Sequence, residues 1–405
     1  MQHIMPARAA SPRLLLLATL PAVQRDDQLI LTAKFRSGWQ AFADAWPGPV
    51  DALFRPIEAT TSNLGNTAYH PSDLPGRAVV APLDSARAHH TIEEADLVLG
   101  GTVADQLGLA RHAGKRGIPF AATSEYSVKT RCQIASAEAR NPLRRWRRHF
   151  WERGLEKRLR ELLPSLAGVQ CNGTPTYDAY RPLNRNALLF FDSRVGADML
   201  ASDAELNARH QRRSASHPLR LAFSGRLVAM KGVQYLTAIV RELDRAGIDF
   251  ELDVFGDGDL RESMTRELAG TSLQRRVRLR GTVDFKHQLM PQLRSEIDLF
   301  LCPHVQGDPS CTYLETFAAG VPIIGFDNEA FTGLLKRVDA GRATPLGDPV
   351  ALARAVSEAI AHPTRMATWA RAGRDFAAAH TAERTFQARV DHLLEIERCS
   401  DRLGG

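Results

Sequence analysis

Residues 297–326 read IDLFLCPHVQGDPSCTYLETFAAGVPIIGF, two apolar runs, IDLFLCP and VPIIGF, on either side of a stretch with the marks of a short helix. Asp308 is a good N-cap, Pro309 suits a first helical position and Gly320 suits the end, which predicts a helix over 309–319. Continuous apolar runs joined through a helix are the pattern of parallel strands buried on both faces. Glu315 falls about a turn and a half into that helix, between Leu314 and Phe317. A carboxylate in such company is costly unless something holds it.

The same alternation extends outward. RLLLLATL, RAVVAPL, ADLVLGG, IPFAATSE and LAGVQCNG recur through the first 190 residues, and LRLAFSG, FELDVFGDG and RVRLRGTV precede the opening stretch. Strands alternating with helices predict parallel sheets, and 405 residues exceed what one hydrophobic core usually organises. The fold class expected is α/β, with two Rossmann-like halves. ASDAELNARHQRRSASHP, residues 201–218, is polar and without apolar periodicity, and reads as a linker. Domain boundaries of 1–205 and 206–385 follow, with 386–405 as a C-terminal helix packing back toward the first half.

Composition narrows the function classes. With 44% hydrophobic and 24% charged residues, the chain has the balance of a soluble globular protein. Five cysteines without CxxC or Cys/His ligand spacing indicate neither a disulfide framework nor a zinc site, and fit a reducing cytoplasm. RLLLLATLPAV breaks at Pro21 and lacks a small-residue cleavage site, so it reads as a buried first strand rather than a signal peptide. No stretch approaches the ~18 apolar residues of a membrane span.

The formal charge of +6 is concentrated in residues 141–160, NPLRRWRRHFWERGLEKRLR, which hold eight Lys/Arg against two Glu. Leu143, Trp146, Phe150 and Leu159 fall near helical spacing, giving an amphipathic helix with a basic face. Two readings stay open: a solvated face over an ordinary core stripe, or a surface for anionic membranes, which clustered Lys/Arg and interfacial Trp serve. No nucleic-acid-binding motif accompanies the patch.

In parallel α/β folds ligands bind at the carboxyl ends of the strands. After LRLAF comes SGRLVAMKG, with Gly225, Arg226, Lys231 and Gly232. Glycine lets backbone approach a ligand, Arg offers a forked donor for phosphate, and Lys adds a compact charge. FGDGDLR brings Gly256 and Gly258, but Arg261 occupies the third glycine position of a dinucleotide fingerprint, so an NAD-dependent dehydrogenase is poorly supported. The loop at Gly281 and Thr282 could offer backbone groups to a base. The N-terminus of the helix predicted at 309–319 favours an anion.

Taken together, SGRLVAMKG, VFGDGDL, LRGTV and YLETFAAGVPIIGFDNEAF resemble, in order and spacing, the retaining nucleotide-sugar glycosyltransferases of glycosyltransferase family 4. The resemblance covers about residues 218–360 and implies the GT-B fold, two facing Rossmann-like domains, the first binding the acceptor and the second the donor. It implies a hexosyltransferase-type enzyme that moves a sugar from a nucleotide diphosphate to an acceptor hydroxyl with retention, in surface polysaccharide or glycolipid assembly. Arg226 and Lys231 would hold the diphosphate, and Glu315 would accept hydrogen bonds from the ribose hydroxyls. Gly225, Gly256, Gly258, Thr282, Asp308, Ser310, Cys311 and Thr312 complete the expected donor set. Such cation-rich sites dispense with a metal, and no DxD or His/Asp cluster demands one.

The chain departs from the pattern in two places. The family commonly has a second Glu eight positions before the first, where this sequence has Gly307, with Asp308 adjacent. In the N-terminal half the family's acceptor-side His gives way to TSEYSVKTR, which offers Glu125 as the group that orients or deprotonates the acceptor hydroxyl. Lys34, Gly38, Lys129 and Asn172 are further acceptor-side expectations, and FFDSR (190–194) is expected to line the cleft. The acceptor is expected to be a saccharide or lipid-linked saccharide, with the enzyme peripheral on the inner membrane face. The same fold also serves nucleotide-sugar epimerases and phosphorylases, and a nucleotide-sugar binding protein without turnover would carry the same donor residues.

Overall fold

A computed structural model of the chain describes residues 11–58, 65–138, 141–214 and 217–404. Two parallel sheets dominate it. The first runs, edge to edge, Ala78–Val80, Val50–Phe54, Leu14–Leu17, Leu97–Gly101, Phe120–Ser124, Gly168–Asn172 and Ala187–Phe190. The second runs Val277–Gly281, Phe250–Phe255, Leu219–Ser224, Leu299–Cys302, Ile323–Phe326 and Gly341–Thr344. Both have the strand order of a Rossmann sheet, so the α/β, GT-B class expected from the sequence is the one observed. A small antiparallel sheet, Val23–Arg25, Gln28–Thr32 and Asn66–Tyr69, flanks the first.

The apolar runs become strands because helices cover both faces of each sheet. Leu299, Phe300, Leu301 and Cys302 are all fully buried, as are Leu14 and Leu15 at the centre of the first sheet. The RLLLLATL stretch is thus an interior strand, paired with Val50–Phe54 on one side and Leu97–Gly101 on the other. Among the described residues no helix is long and apolar enough to cross a membrane.

The polar stretch at 201–218 is a correction. It holds a helix, Asp203–Ser214, whose buried anchors are Leu206, packed with Ala201 and Ala370, and Arg209. This arginine is 6% exposed and donates to the carbonyl oxygens of Gly320, Arg294 and Ala319, capping open ends of the second domain. The helix therefore belongs to the second domain, and the crossover between the sheets is the segment before it, 191–202. The final helix, Ala382–Gly404, lies against the first domain: Arg389 Nε donates to Gln170 Oε1 at 2.8 Å, and Phe386 packs edge-on to Phe42.

Candidate functional site

In each sheet the strand order reverses once, and the crevice at that reversal is where an α/β fold opens to ligands. In the second domain it lies between Leu219–Ser224 and Leu299–Cys302. The loops leaving those two strands are 225–232 and 303–310. They carry Arg226, Lys231 and Asp308.

Glycines let the loops here pack against one another. Gly232 has φ +70°, and a Cβ there would stand 1.7 Å from the Pro303 carbonyl oxygen. Gly256 has φ +120°, and a Cβ there would meet the Gly225 carbonyl oxygen at 2.0 Å. Gly258 is packed against Leu227 in the same way, so the FGDGDLR glycines support the Arg226 loop from behind.

Lys231 is 7% exposed and donates to Asp308 Oδ2 at 2.8 Å and to Ser310 Oγ at 3.3 Å. That contact revises the predicted helix. Asp308 serves Lys231 instead of capping, and the helix starts two residues late, as Cys311–Ala318 with Ser310 at the N-cap. Asp308 Oδ1 is buried without a partner. Arg226 is exposed, and its Nη2 lies 3.8 Å from Met230 Sδ. A nearly buried lysine and an uncommitted arginine thus stand beside a helix N-terminus, an arrangement that neutralises a polyanion.

Glu315 is 3% exposed, and Arg194, from the crossover, donates from Nε to its Oε1 at 2.7 Å. The same guanidinium lies 3.8 Å over the Phe285 ring. Sequence reasoning placed FFDSR in the cleft without assigning Arg194 to Glu315; no local pattern links residues 121 apart. Ser310 Oγ donates to Thr312 Oγ1 at 3.1 Å, and Thr282 is exposed just beyond Gly281, whose carbonyl accepts from Gly256 N–H.

The first domain faces these loops directly. Its helix Val128–Glu138 grips Gly307: Thr130 Oγ1 donates to the Gly307 carbonyl at 3.1 Å, and Gly307 N–H donates to Gln133 Oε1 at 3.2 Å. Ser127 Oγ donates to Glu329 Oε2 at 2.7 Å. A Cβ at 307 would stand 2.9 Å from Glu329 Cβ and 3.2 Å from Thr130 Oγ1. The acidic side chain that the resemblance would put here has no room, because Glu329 of its own domain and Thr130 of the other close on the position.

Across the crevice, Lys34 Nζ donates to Asp192 Oδ2 at 2.6 Å, and Cys311 Sγ lies 3.9 Å from the same oxygen. Burial pulls the Lys34 ammonium down, but Asp192 outweighs it and the pKa is raised. Glu125 is reached by solvent yet walled in by protein; that desolvation, with Asp192 nearby, raises its pKa against the pull of Lys34 and Arg389. Tyr126 beside it is pushed up to about 12, by burial and then by Glu125 and Asp308, with Lys34 and Arg226 opposing. Burial, then Asp192 and Glu315, pushes the Cys311 thiol up to about 12. Charges from both domains therefore meet at Tyr126, which the sequence reading did not single out.

Not every expected residue joins them. Asn172 is 4% exposed and braces the crevice wall, its Oδ1 accepting from Asp192 N–H at 2.9 Å. Gly38 faces the final helix, where a Cβ at 38 would meet the Phe386 ring at 3.8 Å, and Lys129 is exposed on the helix that grips Gly307. His304 is fully buried, both ring nitrogens lack a partner, and burial followed by Lys231 drives its pKa well down, so it lies neutral against Phe223 and Tyr313. Among the described residues no three His, Cys, Asp or Glu side chains are grouped to hold a metal.

Residues 218–362 match the family described as glycosyl transferases group 1. The matched segment is most of the second domain, with the loop that carries Arg226 and Lys231, with Asp308 and with Glu315. The 2-deoxystreptamine glucosyltransferase of Streptomyces kanamyceticus is 27% identical over 182 residues, 44% of this chain and 46% of that protein. The phosphatidyl-myo-inositol mannosyltransferase of Mycolicibacterium smegmatis is 33% identical over 127 residues, 31% of this chain and 32% of that protein. This chain therefore spans less than half the length of these relatives. Over nearly the whole chain the fold is similar to that of Anabaena HepE in complex with UDP, with a TM-score of 0.64, 14% identity, and coverage of 95% of this chain and 99% of that one.

Proposed function

We propose that the protein is a glycosyltransferase that moves a sugar from a nucleotide diphosphate sugar to an acceptor hydroxyl. The observation that carries this reading is the placement of nearly buried Lys231 and uncommitted Arg226 at the strand-order reversal of the domain that matches the family. As the anomeric C–O bond breaks, negative charge grows on the leaving diphosphate. Arg226, Lys231 and the backbone N–H groups opening the helix Cys311–Ala318 would stabilise that charge, a role that asks for no metal. Glu315 would exchange Arg194 for the ribose hydroxyls.

On the acceptor side, Glu125 carries the role of base. Its raised pKa brings it closer to the pH at which a carboxylate accepts a proton from a hydroxyl effectively. Lys34 and Asp192 lie in the same crevice and would orient the acceptor. Retention at the anomeric carbon comes to the reading from the family resemblance, and a saccharide or lipid-linked saccharide is the acceptor class it brings. The test is release of nucleoside diphosphate from UDP-, GDP- and ADP-sugars with and without saccharide acceptors. Acceptor-dependent release from one donor, lost in Arg226→Ala, supports the reading, and NMR of the product gives the anomer. Donor turnover without any acceptor would point instead to an epimerase or phosphorylase.

A further inference from the structure

The helix Pro142–Leu162 carries half of the exposed large apolar side chains of the described residues: Leu143 (66%), Trp146 (66%), Phe150 (71%) and Trp151 (51%), four of eight. At ~100° per residue, Leu143, Trp146 and Phe150 share a stripe roughly 60° wide. It lies on the side opposite the face that holds the helix to the protein. That inner face is Leu155, Glu156 and Leu159, with Arg131 bonded to Glu152 at 2.9 Å and to Glu156 at 2.8 Å. Apolar residues at helical spacing are ordinarily a core stripe, and here Leu159 is one while the other three are not. Trp146 and Phe150 stack on each other, 6.1 Å between ring centroids, with solvent outside.

The charges flanking the stripe name the occupant. By the same helical geometry Arg147, Arg153, Lys157 and Arg158 border it, all exposed, against the single carboxylate of Glu161. A protein partner of ordinary composition calls for no such excess of one sign. A bilayer with anionic headgroups does, because basic side chains meet lipid phosphates while aromatic rings sink to the headgroup boundary. We infer that this helix seats the protein on an anionic membrane surface, with Leu143, Trp146 and Phe150 inserted and the four basic residues on the headgroups.

The test needs no substrate. The full chain is sedimented with vesicles of phosphatidylcholine alone and of phosphatidylcholine mixed with phosphatidylglycerol, beside Trp146→Ser/Phe150→Ser and Arg147→Gln/Arg153→Gln/Lys157→Gln/Arg158→Gln. The wild type should bind the mixed vesicles and not the neutral ones. The charge variant should bind roughly a hundredfold more weakly or worse. The aromatic variant should lose the blue shift of tryptophan fluorescence on vesicle addition. Because these side chains face solvent, unchanged melting temperatures confirm that the variants are folded. Failure of the wild type to bind mixed vesicles, or undiminished binding by either variant, overturns the inference. Wild-type self-association that the aromatic variant abolishes, without vesicle binding, would assign the stripe to a second copy instead.

Discussion

Arg194 Nε donates to Glu315 Oε1 at 2.7 Å while its guanidinium rests 3.8 Å above Phe285, so the crossover between the domains reaches into the site that the proposed nucleoside would fill. The carboxylate is buried and the arginine is 60% exposed. Water can replace part of what the arginine supplies.

Arg194→Ala should therefore lower ligand-free stability by ~1–2 kcal/mol, less than a fully buried pair would cost. If ribose hydroxyls take over Glu315, a saturating nucleotide diphosphate narrows the gap between variant and wild type. Denaturant unfolding with and without nucleotide measures both. An equal gap in both conditions would mean that Arg194 stays on Glu315 when the ligand is bound.

Lys231→Ala removes a charge aimed at the leaving diphosphate and strands Asp308. Turnover should fall on the order of a hundredfold or more, the usual effect of deleting one such stabilising group. Steady-state kinetics decides it. A rise in KM with kcat intact would mean that Lys231 only binds.

Gly307→Glu restores the residue that the resemblance expects, yet the new side chain must displace Thr130 or Glu329. Overpacking of this kind should cost ~1–3 kcal/mol, with like charge against Glu329 adding to it. The variant should melt lower and turn over more slowly. A gain in activity would show that the domains are not gripped here in solution.

Glu125 has its folded-state pKa raised, chiefly by desolvation. Between the ordinary glutamate value and that raised value the native state holds more protons than the unfolded state, so stability falls as pH rises through the window. Glu125→Gln removes this dependence and should gain on the wild type with rising pH, levelling off above the raised value. Urea titrations across that range check the sign. Turnover should move the opposite way, since a protonated Glu125 accepts no proton.

Most of the fold was legible because buried parallel strands are continuous apolar runs, as in Leu299–Cys302. Val50–Phe54 escaped that signal through Asp51, a buried carboxylate paired with Arg13 at 2.6 Å. The helix Asp203–Ser214 escaped it because its inner face combines Leu206 with Arg209 and Arg212, bonded to carbonyls, in place of a run of apolar residues. In the site, Arg226 and Lys231 stood in the loop after the strand Leu219–Ser224, and Glu315 in the helix that follows the strand Leu299–Cys302, where the chemistry is local. Arg194 and Tyr126 act across the crevice, through contacts that only the folded chain brings together.

The most direct test of the donor site is thermal unfolding with UDP, GDP and ADP at saturation, for wild type and Glu315→Ala. At 100 times Kd a ligand stabilises by ~2.7 kcal/mol, roughly a few degrees for domains of this size. One nucleotide should raise the wild-type melting temperature by that amount and the variant's by much less. An equal rise in both proteins, or none with any nucleotide, would contradict the assignment of Glu315 to the ribose.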